Sequence, residues 1–152
     1  MIDEEPIRTV VLLVEDNIDL NLAMREILES CGYEVLAAEN GVQAIRVLEE
    51  QIPDVILCDI MMPEMDGYDL LRYARSEPSL RMIPFIFLTA LTSTADHRRA
   101  REIGIDDYLT NPAETADLLA AINNALRRSR FMEDELRRQS DELRARIVAL
   151  LQ

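Results

Sequence analysis

Lysine is missing from this 152-residue chain: all sixteen basic residues are arginine. Chemistry that depends on a titratable or phosphate-clamping lysine is thereby excluded. Cysteine is scarce too. Cys31 and Cys58 are too few and too irregularly placed for a disulfide framework or a zinc site. Cys58 lies in an apolar run and reads as a small buried thiol, so a reducing cytoplasm is the expected compartment. No apolar stretch approaches the roughly 20 residues that span a bilayer, and the acidic start MIDEEPIR is no targeting signal. A soluble chain with no membrane partner is expected. Positive charge is in deficit, with a formal net charge of -13 and a pI near 4.4. Such a surface repels nucleic-acid phosphates, so direct nucleic-acid binding is not expected.

What is present is the content of one core: 49% of residues are hydrophobic and 30% charged. The charge is uneven. Residues 1–126 carry 24 acids against 9 arginines, whereas residues 127–152 carry 5 acids against 7 arginines. Body and tail are different materials, and we expect one domain over residues 7–125 with a projecting helix over 126–152.

Short β-rich runs at Thr9 to Val14, Glu34 to Ala38, Val55 to Cys58, Phe85 to Leu88 and Tyr108 to Thr110 predict five strands. Between them, Leu20 to Ser30, Val42 to Glu50, Tyr68 to Arg75 and Ala95 to Ile103 carry apolar residues at helical spacing, with Gly32 and Gly104 as helix stops. Nearly continuous apolar strands such as VVLLV and VILC are buried on both faces, as in a parallel sheet covered by helices on each side. The βα alternation therefore predicts an α/β, doubly wound, flavodoxin-like sheet of order 2-1-3-4-5 with an extended C-terminal helix. Ligands of such sheets bind beyond the strand C-termini, at the switch point between strands 1 and 3.

Those strand ends carry Glu15-Asp16-Asn17 and Asp59, with Thr89-Ala90 after strand 4 and Asn111-Pro112 after strand 5. Three carboxylates gathered at one edge repel one another unless a cation neutralises them, and hard oxygen ligands suit Mg²⁺. Helix capping accounts for Asp16 or Asn17 alone. It does not account for the coincidence of an acid after strand 3 and a hydroxyl after strand 4.

The blocks LLVEDN, CDIMMPEMDG, LTA and DYLTNP resemble the response-regulator receiver domain of two-component signalling, over about residues 8 to 125. The resemblance implies that Asp59 accepts a phosphoryl group from a histidine kinase or phosphotransfer protein. It implies that Glu15, Asp16, Asp59 and the Met61 carbonyl hold Mg²⁺, that Thr89 is the switch hydroxyl, and that Tyr108 is the aromatic that follows it. Ala90, Asn111 and Pro112 complete the pocket. Such a chain is a signalling switch, not a turnover enzyme. Gly67 after Asp66 reads as a structural turn.

The pattern breaks at Asn111, where receivers typically carry lysine. A neutral amide gives a hydrogen bond about half as strong as a charge-assisted one, so phosphorylation is expected to be weaker or differently coupled. Ala113 replaces a bulkier residue, so the last helix should start more loosely. Met61 and Leu91 flank the path of attacking water by the same resemblance; both are apolar, and slow self-hydrolysis follows. The competing reading is a docking module that never uses phosphorylation. Other enzymes on such sheets fit poorly. A haloacid-dehalogenase phosphatase wants a second acid where this chain has Met61, and a flavin carrier wants a phosphate-cradling loop after strand 1.

From Glu114 no glycine or proline interrupts the chain, which predicts one helix of roughly 39 residues and about 58 Å. Leu119, Ile122, Leu126, Leu136, Leu143, Ile147 and Leu150 form a heptad seam, weakened at Ser129, Glu133 and Ser140. Pairs Glu133 with Arg137, Asp134 with Arg138 and Glu142 with Arg146 stand at i, i+4 on the wet face. A homodimer through a parallel coiled coil is expected, linking to an output module.

Overall fold

The computed structural model describes residues 8–90, 94–110 and 113–152. Its elements run β1 (Val10–Val14), α1 (Ile18–Ser30), β2 (Glu34–Ala38), α2 (Gly41–Glu50), β3 (Val55–Asp59), α3 (Gly67–Ser76), β4 (Phe85–Thr89), α4 (Thr94–Ile103), β5 (Asp107–Thr110) and α5 (Thr115–Leu150). The five strands form one parallel sheet in the order β2-β1-β3-β4-β5. This is the expected architecture. The strand limits shift by one residue: the polar Asp59, Thr89 and Asp107 continue the ladder beyond the apolar run, while β1 begins at Val10 rather than Thr9.

Every side chain of β1 after Val10, every one of β3 before Asp59 and all of β4 are buried, because helices cover both sheet faces. On one face Leu12, Ile56, Phe85 and Phe87 pack with Ala44 and Leu48 of α2, Leu70, Leu71 and Ala74 of α3, and Ala100 of α4. On the other, Val11, Leu13, Leu57 and Ile86 pack with Met24 and Leu28 of α1 and with Leu118, Ile122 and Leu126 of α5. Gly32 and Gly104 end α1 and α4 at φ +94° and +105°, conformations that cost glycine nothing.

Two long-range hydrogen-bond centres close the N-terminal edge of the sheet. Asp54 accepts the Val10 N–H at 2.7 Å. Arg75 donates to the Gly104, Arg81 and Ile83 carbonyls and to Asp106, whose Oδ2 also accepts the Phe85 N–H. Arg128 of α5 donates to the Asp106 carbonyl at 3.2 Å, close to where the helix leaves the body.

α5 has 36 residues, or about 54 Å at the α-helical rise. It starts at Thr115, one residue after its N-cap Glu114. Its sheet-facing stripe is Leu118, Ala121, Ile122, Ala125 and Leu126, after which no residue of the helix is buried. The heptad seam is thus divided: Ile122 and Leu126 serve the core, while Leu136, Leu143, Ile147 and Leu150 are exposed. The wet-face pairing also differs from expectation, for Arg138 bridges Glu135 and Glu142, using i, i+3 as well as i, i+4 spacing. One arginine fork reaches two carboxylates on adjacent turns, which three separate pairs cannot do.

Candidate metal and phosphoryl site

At the C-terminal edge of β1 and β3, carboxylate oxygens of Glu15, Asp16 and Asp59 all lie within 4.8 Å of one another. Glu15 is 3% exposed, Asp59 half-buried and Asp16 exposed. The parallel register delivers them: Val14 pairs with Cys58, so the residues following it meet Asp59 at one level of the sheet. Capping is assigned to Asn17, whose Oδ1 accepts the Leu20 N–H at 3.0 Å and starts α1. Asp16 is therefore not the cap of that helix.

Burial pushes the Asp59 carboxyl above its usual range, and the charge of Asp16 pushes the same way; hydrogen bonds from Glu15 and from the Met61 and Ile60 backbone oppose the shift. The Met61 N–H stands 3.3 Å from Asp59 Oδ1. Burial likewise pushes up the adjacent Cys58 thiol, which donates to the Asp59 carbonyl, so it is an inert core group beside the carboxylates. Hard, anionic oxygens with one exposed member fit a divalent cation that retains several waters, which is the habit of Mg²⁺.

The loop from β3 to α3 is held closely. A Cβ at Gly67 would meet the Asp59 carbonyl oxygen at 2.7 Å and Ile60 Cα at 2.8 Å. Glycine at that position lets the start of α3 lie against the strand end that carries Asp59. Beyond the turn at Glu64 (φ +70°), Met65 lies where a Cβ on Gly41 would sit, and Asp66 and Asp69 form a capping box on α3.

Thr89 ends β4 fully buried, one strand over from Asp59, and Ala90 after it is exposed. Tyr108 is half-buried on β5 opposite Phe87, with ring centroids 6.3 Å apart. The His97 ring of α4 lies 4.0 Å from the Tyr108 ring. Arg99 sits over the Tyr68 ring, 4.1 Å from its centroid. Expectations for Leu91, Asn111 and Pro112 fall outside the described residues. Ala113 lines a groove of about 400 Å³ with Tyr108, Asp117 and Ala121 between β5 and α5.

Three contacts around this site were not foreseen from sequence, where Arg99 has ordinary solvent-facing spacing and Gly67 reads as a turn. Asn21 is buried, with its amide on the Glu15 and Ala38 carbonyls. Gly67 is needed for close approach as well as for a turn. His97 and Arg99 dock α4 onto two aromatic rings.

Residues 11–123 match the family model described as the response regulator receiver domain. The transcriptional regulatory protein CpxR of Escherichia coli (strain K12) is 38% identical over 125 residues, which is 82% of this chain and 52% of that protein. The chain thus spans about half the length of the curated relatives it matches. Among solved structures, a signal receiver domain of a signal transduction histidine kinase from Syntrophus aciditrophicus is 39% identical, with a TM-score of 0.72 and coverage of 78% of this chain and 89% of that one. A sensor histidine kinase receiver domain from Pseudomonas aeruginosa, with magnesium coordinated in its active site cleft, is 34% identical at a TM-score of 0.73, covering 79% of this chain and 98% of that one.

Proposed function

This chain belongs to the response regulator receiver family, and on that premise we propose that Asp59 accepts a phosphoryl group in a Mg²⁺-dependent reaction and that α5 carries the resulting signal. The observation that carries this reading is the convergence of Glu15, Asp16 and Asp59 beside the buried hydroxyl-bearing Thr89.

Glu15, Asp16, Asp59 and the Met61 carbonyl would hold Mg²⁺, which when bound offsets negative charge on the carboxylates and on the transferring phosphoryl oxygens. The residues do the rest. An Asp59 carboxylate oxygen attacks phosphorus, the bond from phosphorus to the donor's histidine nitrogen breaks, and that nitrogen keeps the electron pair and takes a proton from solvent. Asp59 becomes an acyl phosphate. The Met61 N–H steadies Asp59 Oδ1 during the approach. Thr89 then donates its hydroxyl to a phosphoryl oxygen, and Tyr108 follows into the space this opens. Asn111 supplies a neutral amide where a lysine would supply charge, which slows transfer. Met61, 64% exposed at the pocket mouth, cannot orient water, so the acyl phosphate hydrolyses slowly.

The donor is a histidine kinase or phosphotransfer protein. Ile18 and Leu22, exposed on the first turns of α1 directly after Asp16, support docking of an apolar partner face beside the pocket. Residues 7–125 act as the receiver unit, and residues 126–152 as the helix through which two copies pair. Support for a parallel pair comes from the exposed Leu136, Leu143, Ile147 and Leu150 stripe and from Arg130, Arg137 and Arg144 along one flank, which an antiparallel partner would set against one another. The absence of any helix long and apolar enough to cross a membrane among the described residues accords with a cytoplasmic switch.

Beryllofluoride with Mg²⁺ separates this reading from a docking module that ignores phosphorylation. Amide signals of Thr89 and Tyr108 should shift on addition of both, beyond any change that Mg²⁺ alone produces, and stay in place with beryllofluoride alone. A folded protein whose Thr89 and Tyr108 signals do not move would favour the docking module.

A further inference from the structure

We propose that Asn21 is the positioning residue of the pocket: its side-chain amide fixes the backbone that presents Glu15 and Asp16. This rests on the reading of Glu15, Asp16 and Asp59 as a Mg²⁺ site.

Asn21 belongs to the buried stripe of α1, in line with Met24 and Leu28, and is 7% exposed. An amide at a position that packing alone would fill with leucine is costly to desolvate unless it is hydrogen-bonded. Both partners are backbone carbonyls at the C-terminal edge of the sheet: Asn21 Nδ2 donates to the Glu15 carbonyl at 3.0 Å and to the Ala38 carbonyl at 3.1 Å. The Glu15 N–H donates to the same Ala38 carbonyl at 3.1 Å. Both backbone polar groups of Glu15 are therefore tied, one to the end of β2 and the other to Asn21.

The next residues are held as well. The Asn21 N–H donates to the Asn17 carbonyl at 2.8 Å while Asn17 caps the helix. Asp16 thus stands between two anchored neighbours. Carboxylates clustered within 4.8 Å repel one another, and the repulsion acts on the loop that carries two of them. The clamp opposes that displacement by joining the loop to the edge strand and to α1. Asn21 touches no carboxylate in these contacts; it acts through the Glu15 backbone. Supporting groups of this kind commonly change metal affinity by about tenfold or more when removed.

The test compares Mg²⁺ titrations, followed by amide chemical shifts, of the full-length wild type, Asn21→Leu and Leu48→Ala. Leu48 is a buried residue of the last turn of α2, far along the helix from the pocket edge, and its truncation lowers stability without touching the clamp. We expect Asn21→Leu to weaken Mg²⁺ binding about tenfold and Leu48→Ala to leave it unchanged. Should Asn21→Leu not fold, Asn21→Ser, which keeps one donor, is titrated in its place, with a smaller weakening expected. Wild-type affinity in the Asn21 variant that folds, or equal weakening in Leu48→Ala, overturns the assignment. Absence of any Mg²⁺ response in the wild type overturns the metal-site reading itself, and this assignment with it.

Discussion

Asp59 carries a carboxyl whose protonation is favoured in the folded chain by burial and by the charge of Asp16. A carboxyl with a raised folded pKa adds stability at pH values below its unfolded pKa of about 3.9 and loses that contribution as pH rises through the folded pKa. In metal-free buffer at neutral pH, Asp59 is therefore a source of instability. Asp59→Asn should melt higher than the wild type at pH 7 without metal, and the difference should shrink as pH falls toward about 4. Calorimetric scans across that range check it, and a variant that melts lower at pH 7 contradicts the electrostatic account. Gly67 gives a second expectation at this scale. Gly67→Ala drives a methyl into the Asp59 carbonyl and Ile60 Cα, which should cost about 1–3 kcal/mol in a denaturant titration. Glu15, Asp16, Asp59 and Thr89 could be picked out from sequence because acids and hydroxyls at the ends of apolar strands stand out, whereas Tyr108 was marked by the family resemblance alone. Asn21 could not, and Gly67 could be read as a turn but not as a close approach. Their partners, Ala38 for one and the Asp59 carbonyl for the other, are brought near only by the folded sheet.

At the scale of elements, the strands were legible because each is a short apolar run bounded by turn residues, and burial on both faces makes that pattern continuous. Their last residues were harder to place, since a ladder hydrogen bond does not depend on an apolar side chain. The ties between elements were invisible for a different reason. Arg75 lies on α3 with the spacing of an ordinary surface arginine, yet its guanidinium joins Arg81, Ile83, Gly104 and Asp106, with side chains 20% and 31% exposed in the Arg75–Asp106 pair. Arg75→Ala leaves those carbonyls and a partly shielded Asp106 without the fork. A loss of about 2–3 kcal/mol in chemical denaturation is expected, and Arg75→Lys should recover less than half, because a point charge cannot reproduce a five-donor plane. Full recovery by lysine would show that charge alone matters there. α5 shows the converse error of scale. One heptad register runs through it, but the sheet takes the first part and solvent the rest, a division that depends on where the helix leaves the body.

For the whole molecule, the acidic body and the arginine-rich tail lead to separate expectations. The exposed Leu136, Leu143, Ile147 and Leu150 stripe has no surface in the described residues to cover it, and a second α5 offers a matching one. Leu136→Asp with Leu143→Asp should convert a dimer to a monomer in sedimentation equilibrium while leaving the sheet's circular dichroism intact. At about 1.5–3 kcal/mol per buried leucine, the pair contributes most of what so short a seam can supply. An unchanged mass would place the contact elsewhere. The body's expectation is chemical and central: that the acidic pocket makes Asp59 a phosphoacceptor. Intact-protein mass spectrometry after incubation with a small acyl-phosphate donor tests it most directly, with wild type, Asp59→Asn and Asn111→Lys each measured with and without Mg²⁺. We expect the wild type to gain one phosphoryl group only with Mg²⁺, Asn111→Lys to gain it faster, and Asp59→Asn to gain none; a wild type that stays unmodified beside a phosphorylated Asn111→Lys, or an Asp59→Asn that is modified as readily, would contradict the account.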